Sequence, residues 1–386
     1  MKTPFFILIF SFSTFLCGQN YDTNWKGHFS FLNIKKVVEA ENKFYAASEN
    51  ALFSYDTQTN QLNTITTVNG LSGELISTLH YSYEYQLLLI GYENGLIEIY
   101  SETDQEILKV VDIINKVTIP PSQKKINHFN EFNSLIYIAT DYGISVYSLE
   151  GLEFGDTYYI GSNGSQIRVN QTAILNNEIY AACGLNNGIK KASLSNSNLT
   201  DFQLWGTIVS GDFTAVLASA SSIYAVNLSN TIFEINGTAL NTLFNFPQPV
   251  VELNTSETKL LVTTNSKVYQ YGPGFNLIDT YSLPTELDTF FTCALITGAD
   301  VYIGTKNYGI IRPDPLAVYG YEEIHPEGPL RNAAFSLTYG YGNLWVTYGE
   351  YSIFFNPSPS RNYGISNYVD MNWHNTTYDS IQQATN

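Results

Sequence analysis

From Phe44 onward the chain alternates short apolar bursts with small polar corners, and one outline recurs. It is read as "YAASENALFSYD" from Tyr45, "LIGYENGLIEIY" from Leu89, "YIATDYGISVYS" from Tyr137 and "YIGTKNYGIIRP" from Tyr302. Anchoring each copy on a large residue two places before a small or β-branched one gives Tyr45, Leu89, Tyr137, Tyr180, Tyr224, Leu261, Tyr302 and Trp345. The mean spacing is about 43 residues, within the range of four-stranded propeller blades and longer than helical or leucine-rich repeats. After each anchor comes a turn and a second apolar segment. Four of these segments begin with Gly, at Gly95, Gly143, Gly188 and Gly309, where a tight hairpin tolerates positive φ. Further strands precede and follow the hairpin, as in "LISTLHYS" from Leu75 and "EILKVVDI" from Glu106. No capped 3.6-residue period interrupts them, so the pattern predicts four strands, A to D, per copy.

Two places after the anchors stand Ala47, Gly91, Ala139, Ala182, Val226, Thr263, Gly304 and Thr347. Their small size is expected where inner strands converge on a narrow axis. The fold expected is all-β: a seven-bladed β-propeller of four-stranded antiparallel blades, with the start of a second propeller at the C-terminus. The boundaries are a signal peptide over 1–18, the propeller over 19–326, and the first blade of a second, truncated propeller over 327–386. An eight-bladed ring is the alternative. The eighth copy takes "SIFFN" from Ser352 as its second apolar segment, and the tail from Asn362 carries no clean repeat. Ring closure is expected from "KGHFSFLN", beginning at Lys26, pairing as a strand with the last blade. Proline-bearing segments such as "NFPQPV" and "EIHPEGP" fall between copies, where they interrupt no central ladder.

Composition agrees with strands: 15% of residues are aromatic and only 14% charged. A net charge of −17 repels a phosphate backbone and excludes nucleic acid as an expected partner. The opening "MKTPFFILIFSFSTFLCGQN" has one Lys, an apolar run and then small or polar residues. That is a secretory signal pattern, with cleavage expected between Gly18 and Gln19 and lipoprotein processing at Cys17 as the rival. No later run reaches membrane length, so no transmembrane span is expected. Cys183 and Cys293 are expected as buried, inert thiols, with a disulfide as the alternative.

No chemistry converges in the sequence. His28, His80, His128, His325 and His374 lack metal-ligand spacing. Nucleophile-elbow, Walker and dinucleotide motifs are absent. Glu252, Glu257, Asp279, Glu286 and Asp288 are close in sequence, as paired carboxylates of a glycosidase would need, but are read as solvated acids around turns. "DTQTN" from Asp56 is read as an Asx-type turn rather than a calcium loop. "TYYIG" from Thr157 and "YGYEEIH" from Tyr319 are the candidate places for aromatic rings to stack on sugars, with packing as the plainer reading. No catalytic, cofactor-binding or metal residue is assigned, no cofactor is expected, and ligand-binding residues stay unassigned.

"VNGLSGELIS" and "NLWVTYG" resemble the repeats of two-component-regulator-type propellers. The ordered series "WKGHFSFLNIK", "KFYAASENALFSYD", "NGLSGELIS", "LLLIGYENGLIEI", "YIGTKNYGIIRP" and "EGPLRN" is similar to the N-terminal propeller of PorZ-like components of the type IX secretion system of Bacteroidetes. The resemblance implies a non-catalytic cell-surface or outer-membrane-associated scaffold. Its implied partners are attachment-complex proteins, including a PorU-like sortase that joins exported proteins to anionic lipopolysaccharide. It also implies lipopolysaccharide recognition through a domain absent from this chain. Two other functions stay open: a periplasmic sensor propeller of a hybrid two-component regulator, and a propeller-type carbohydrate-active enzyme.

Overall fold

The computed structural model describes residues 26–381, apart from 257, 350, 353, 355 and 357–362. The signal-peptide, cleavage and Cys17 readings, and Glu257, lie outside the described residues. The described residues form eight four-stranded antiparallel sheets, each ordered A-B-C-D in chain sequence. Sheet 1 consists of Lys36–Ala40, Lys43–Ala47, Leu52–Asp56 and Leu62–Ile65. The A strands of sheets 2 to 7 are Ile76–Ser82, Ile126–Phe132, Val169–Leu175, Phe213–Ser219, Val250–Ser256 and Phe291–Thr297. Sheet 8 begins with Ala334–Gly340.

The A strands of sheets 1 to 7 neighbour one another in order, and that of sheet 7 meets that of sheet 1. These are the innermost strands of a seven-bladed ring. Its energetics follow the same geometry, because one buried apolar cluster fills each of the seven sheet-to-sheet interfaces. The interface between sheets 7 and 1 is typical: Tyr302 and Ile310 from sheet 7 pack with Phe44 and Phe53 from sheet 1, together with Phe31 and Ile34. Each fully buried side chain of this kind contributes about 1.5–3 kcal/mol relative to leaving it in water. None of these clusters includes a described residue of sheet 8.

The closing strand expected at 26–33 does not form. The segment lies outside any ladder, and sheet 7 already carries its own four strands. It acts as a seam instead. Ile34 N–H donates to the Thr305 carbonyl at 2.9 Å, and Gly309 N–H donates to the Leu32 carbonyl at 2.9 Å. A similar bond joins sheet 2 to sheet 1, from Ile76 N–H to Glu49 O at 2.8 Å. The seam therefore closes the ring with the kind of contact used between consecutive blades.

The four hairpin glycines behave as their spacing predicts. Gly95, Gly143, Gly188 and Gly309 all have positive φ, from 64° to 147°. At Gly188 a Cβ would also lie 2.0 Å from the Val209 carbonyl, so both conformation and space require glycine. The small residues after the anchors need a different explanation from the one expected. They lie on B strands, one position out from the axis. A Cβ on Gly91 would sit 2.8 Å from Ile126 of the next sheet's A strand, so their size admits the neighbouring blade rather than clearing the axis.

Sheet 8 also departs from the expected copy. Its third strand is Ile365–Val369 rather than the segment from Ser352, and its fourth is Asn372–Thr376, within the tail read as lacking a repeat. The apolar segment from Ser352 was the nearer sequence match, but strand B, Asn343–Tyr348, pairs with Ile365–Val369 across an intervening insertion. The seam segment holds this sheet too. Ser30 N–H donates to Asn332 Oδ1 at 2.7 Å, and the Trp373 indole N–H donates to His28 Nδ1 at 3.0 Å.

Candidate functional site

The site is built from one irregularity repeated around the ring. In sheets 2 to 7 each A strand carries a β-bulge one residue after its first ladder position, as at Ile76/Thr78, Val169/Gln171 and Phe291/Cys293. A bulge leaves one residue unpaired and re-aims its side chain. The skipped residues are Ser77, Asn127, Asn170, Thr214, Val251 and Thr292. Lys35, immediately before strand A of sheet 1, takes the corresponding place. All seven line one mouth of the axial channel, a cavity of about 260 Å³ to which every sheet of the ring contributes and sheet 8 does not. Large residues preceding the bulge, such as Ile34, Ile76 and Phe291, are buried between sheets.

The bulged amides also join blades. Asn127 Nδ2 donates to the Val169 carbonyl at 2.9 Å, and Asn170 Nδ2 to the Phe213 carbonyl at 2.7 Å. Each satisfies a carbonyl of the next sheet just before that sheet's own bulge. Deeper in the wall, the Lys36 ammonium pairs with the Glu252 carboxylate, whose other oxygen accepts from Ala294 N–H at 2.9 Å. Sheets 1, 6 and 7 are thereby tied by one carboxylate. Burial opposes the Lys36 charge, but Glu252 overcomes that penalty and the pKa is raised.

At the opposite end the channel opens into a second cavity of about 540 Å³, lined by Glu39, Glu84, Glu131, His80 and Tyr83 among others. His128 lines both cavities and marks the waist between them. His80 Nε2 and Ser82 Oγ each contact the Glu131 carboxylate at 2.8 Å. Serine and histidine thus share a carboxylate instead of bonding to each other, which is not a nucleophile-base relay. Although the structure brings His80 and His128 near one chamber, no group of three or more metal-binding side chains occurs among the described residues.

His128 Nδ1 is buried without a hydrogen-bond partner. Burial first, then the charges of Lys36 and His80, push its pKa down from 6.5 to about 3. A folded pKa below the unfolded one gives stability that is full above pH 6.5 and is lost as pH falls towards about 3. Melting temperature should therefore decline on acidification from pH 6.5, and His128→Gln should flatten the decline above pH 4.5, where Glu131 begins to add its own effect. An identical slope in the variant would contradict this assignment.

The carboxylates read as turn residues are not brought together. Glu252 is a correction: it lies on strand A of sheet 6, nearly buried and paired. Asp279 is exposed on the outer strand Asn276–Ser282, three strand spacings or roughly 14 Å away across the sheet. Glu286 and Asp288 are exposed in the following loop. Asp56 Oδ1 accepts from the backbone N–H groups of Gln58 and Thr59 at 2.9 and 2.8 Å, which is the Asx-type turn expected. Tyr158 packs on Trp205 in the core, whereas Tyr319 is exposed beside Tyr321. Cys183 and Cys293 are free, buried thiols, pushed up to about 12 by burial. Among the described residues no helix is long and apolar enough to cross a membrane.

Residues 44–206 match the family model of the N-terminal β-propeller domain of PorZ of the type IX secretion system. Among solved structures, the chain resembles PorZ of Porphyromonas gingivalis, described as an essential bacterial surface component of that system. The TM-score is 0.74 at 16% identity, covering 93% of this chain and 47% of that one. The chain therefore spans about half the length of that structure. Raptor of Chaetomium thermophilum follows at TM-score 0.56 and 14% identity, covering 78% of this chain and 29% of its own. The computationally designed protein Ika8 gives 0.51 and 11%, covering 77% and 98%. A comparison with curated proteins finds no match. Residues 44–206 thus resemble the N-terminal β-propeller domain of PorZ, and the chain shares its fold with that protein.

Proposed function

We propose that this PorZ-like propeller is a non-catalytic cell-surface scaffold of type IX secretion, which supports attachment of exported proteins to anionic lipopolysaccharide beside a PorU-like sortase. The match of residues 44–206 to the PorZ propeller model carries the reading. It is supported by a rigid ring whose exposed loops offer binding surface, and by carboxylates that do not converge. We further propose that sheet 8 is the first blade of a second propeller. It repeats the A-strand bulge at Ala334/Ser336, yet Leu337 and Tyr339 on that strand are exposed where the corresponding Leu79 and Tyr81 of sheet 2 are buried. No residue here is assigned to lipopolysaccharide.

In the bacterium that makes the chain, deleting its gene should release type IX cargo unattached into the medium. Surface cross-linking of a tagged copy should recover the sortase. Normal cargo attachment in the deletion strain would overturn the proposal.

A further inference from the structure

We propose that the bulge-lined mouth of the channel binds a small oxyanion, either free phosphate or the phosphate group of a phosphorylated sugar. The chain has only 18 basic residues against 35 acidic ones, yet Lys35, Lys36, Lys125 and Arg168 all line this one cavity. Glu252 is the single carboxylate among the lining residues. The opposite chamber has the reverse balance, with Glu39, Glu84 and Glu131 facing Lys36. Low-dielectric walls focus such a field, so the mouth attracts anions although the molecule as a whole repels them.

Hydrogen-bonding capacity points the same way. Of the bulge-position residues, Lys35 Nζ and one N–H of Asn170 are free to donate, whereas Asn127 Nδ2 is shared between Asp141 and Val169 and the Thr214 and Thr292 hydroxyls donate to Val226 O and Cys293 Sγ. Ser77 Oγ and His128 Nδ1, on two residues that line the cavity, are buried without a hydrogen-bond partner. Lys35 is exposed and makes no ion pair among the described residues. Arg168 contacts Asp141 at 3.2 Å and Lys125 contacts Glu93 at 3.4 Å, so these two cations are held at the rim by one carboxylate each. Lys36 is committed to Glu252 and holds the wall rather than the ligand. A volume of about 260 Å³ admits a phosphate with its bound water, since one water occupies about 30 Å³ of liquid.

The test is calorimetric titration of the whole chain at low ionic strength with inorganic phosphate, and in a second arm with glucose 1-phosphate. Saturable binding is expected, weakened about tenfold in Lys35→Gln and more in Lys35→Gln/Arg168→Gln, as loss of charge-assisted bonds requires. Both variants should melt with wild-type cooperativity, because neither side chain is in the core. Lys267→Gln, on a C strand of sheet 6 away from the mouth, should bind as wild type does. Tighter binding of the sugar phosphate identifies a glycan-borne ligand, and equal binding identifies free phosphate. Absence of saturation at about 10 mM phosphate in both arms, or equal binding by wild type and the double variant, overturns the site.

Discussion

Glu252→Ala should lower the free energy of unfolding by about 3–5 kcal/mol, the range for removing one partner of a buried ion pair. The Glu252 side chain is 8% exposed and that of Lys36 18%, so truncation leaves an ammonium with little access to water. It also removes the acceptor of Ala294 N–H, and with it a link among sheets 1, 6 and 7. Lys36→Met combined with Glu252→Leu should recover the part of the loss due to the stranded charge, while Ala294 N–H still lacks its acceptor. The Lys36 pKa is raised in the fold, so its contribution is complete below the unfolded value of about 10.4 and disappears as pH rises through the folded one. Denaturant melts of the three variants measure this. A loss below about 1 kcal/mol for Glu252→Ala would mean that the pair behaves as an exposed one.

Phe31→Ala should cost about 3–5 kcal/mol, the amount expected for emptying an aromatic site in a core. Phe31 belongs to no strand, yet it is 3% exposed and meets Phe53 edge-on with ring centroids 5.8 Å apart. It fills the interface between the first and last blades of the ring. A frayed leader would tolerate the change, whereas a closing seam would not. Leu62→Ala on an outer strand, where the leucine is 37% exposed, is the matched control and should cost far less. Similar losses from the two substitutions would argue against closure through this seam.

The blade plan was legible because strand periodicity and the hairpin glycines are local: Gly143 and Gly188 needed positive φ, and their place after a turn announced it. What faces what was less legible. Small size at Gly91 has two physical causes, a crowded axis or an approaching neighbour, and a single strand does not distinguish them. Glu252 looked like a turn acid because its surroundings, "PQPVVELNTSETK", are polar, but its partner Lys36 lies far away in sequence. The mouth was missed because a bulge shifts the alternation by one residue and hides a polar position inside an apolar strand. A signal exists in retrospect: a large apolar residue followed at once by a polar one recurs as Ile34-Lys35, Ile76-Ser77, Ile126-Asn127, Val169-Asn170, Phe213-Thr214 and Phe291-Thr292.

Native-state amide exchange tests the seven-bladed closure most directly, since protection reports which hydrogen bonds open only with the whole fold. Ile34 and Gly309, whose N–H groups cross the seam to Thr305 and Leu32, should exchange as slowly as the buried B-strand amides of Ala46 and Ile90. Strand A of sheet 8, residues 334–340, should exchange much faster. Rapid exchange at Ile34 and Gly309 together with strong protection along 334–340 would contradict a ring closed at seven blades.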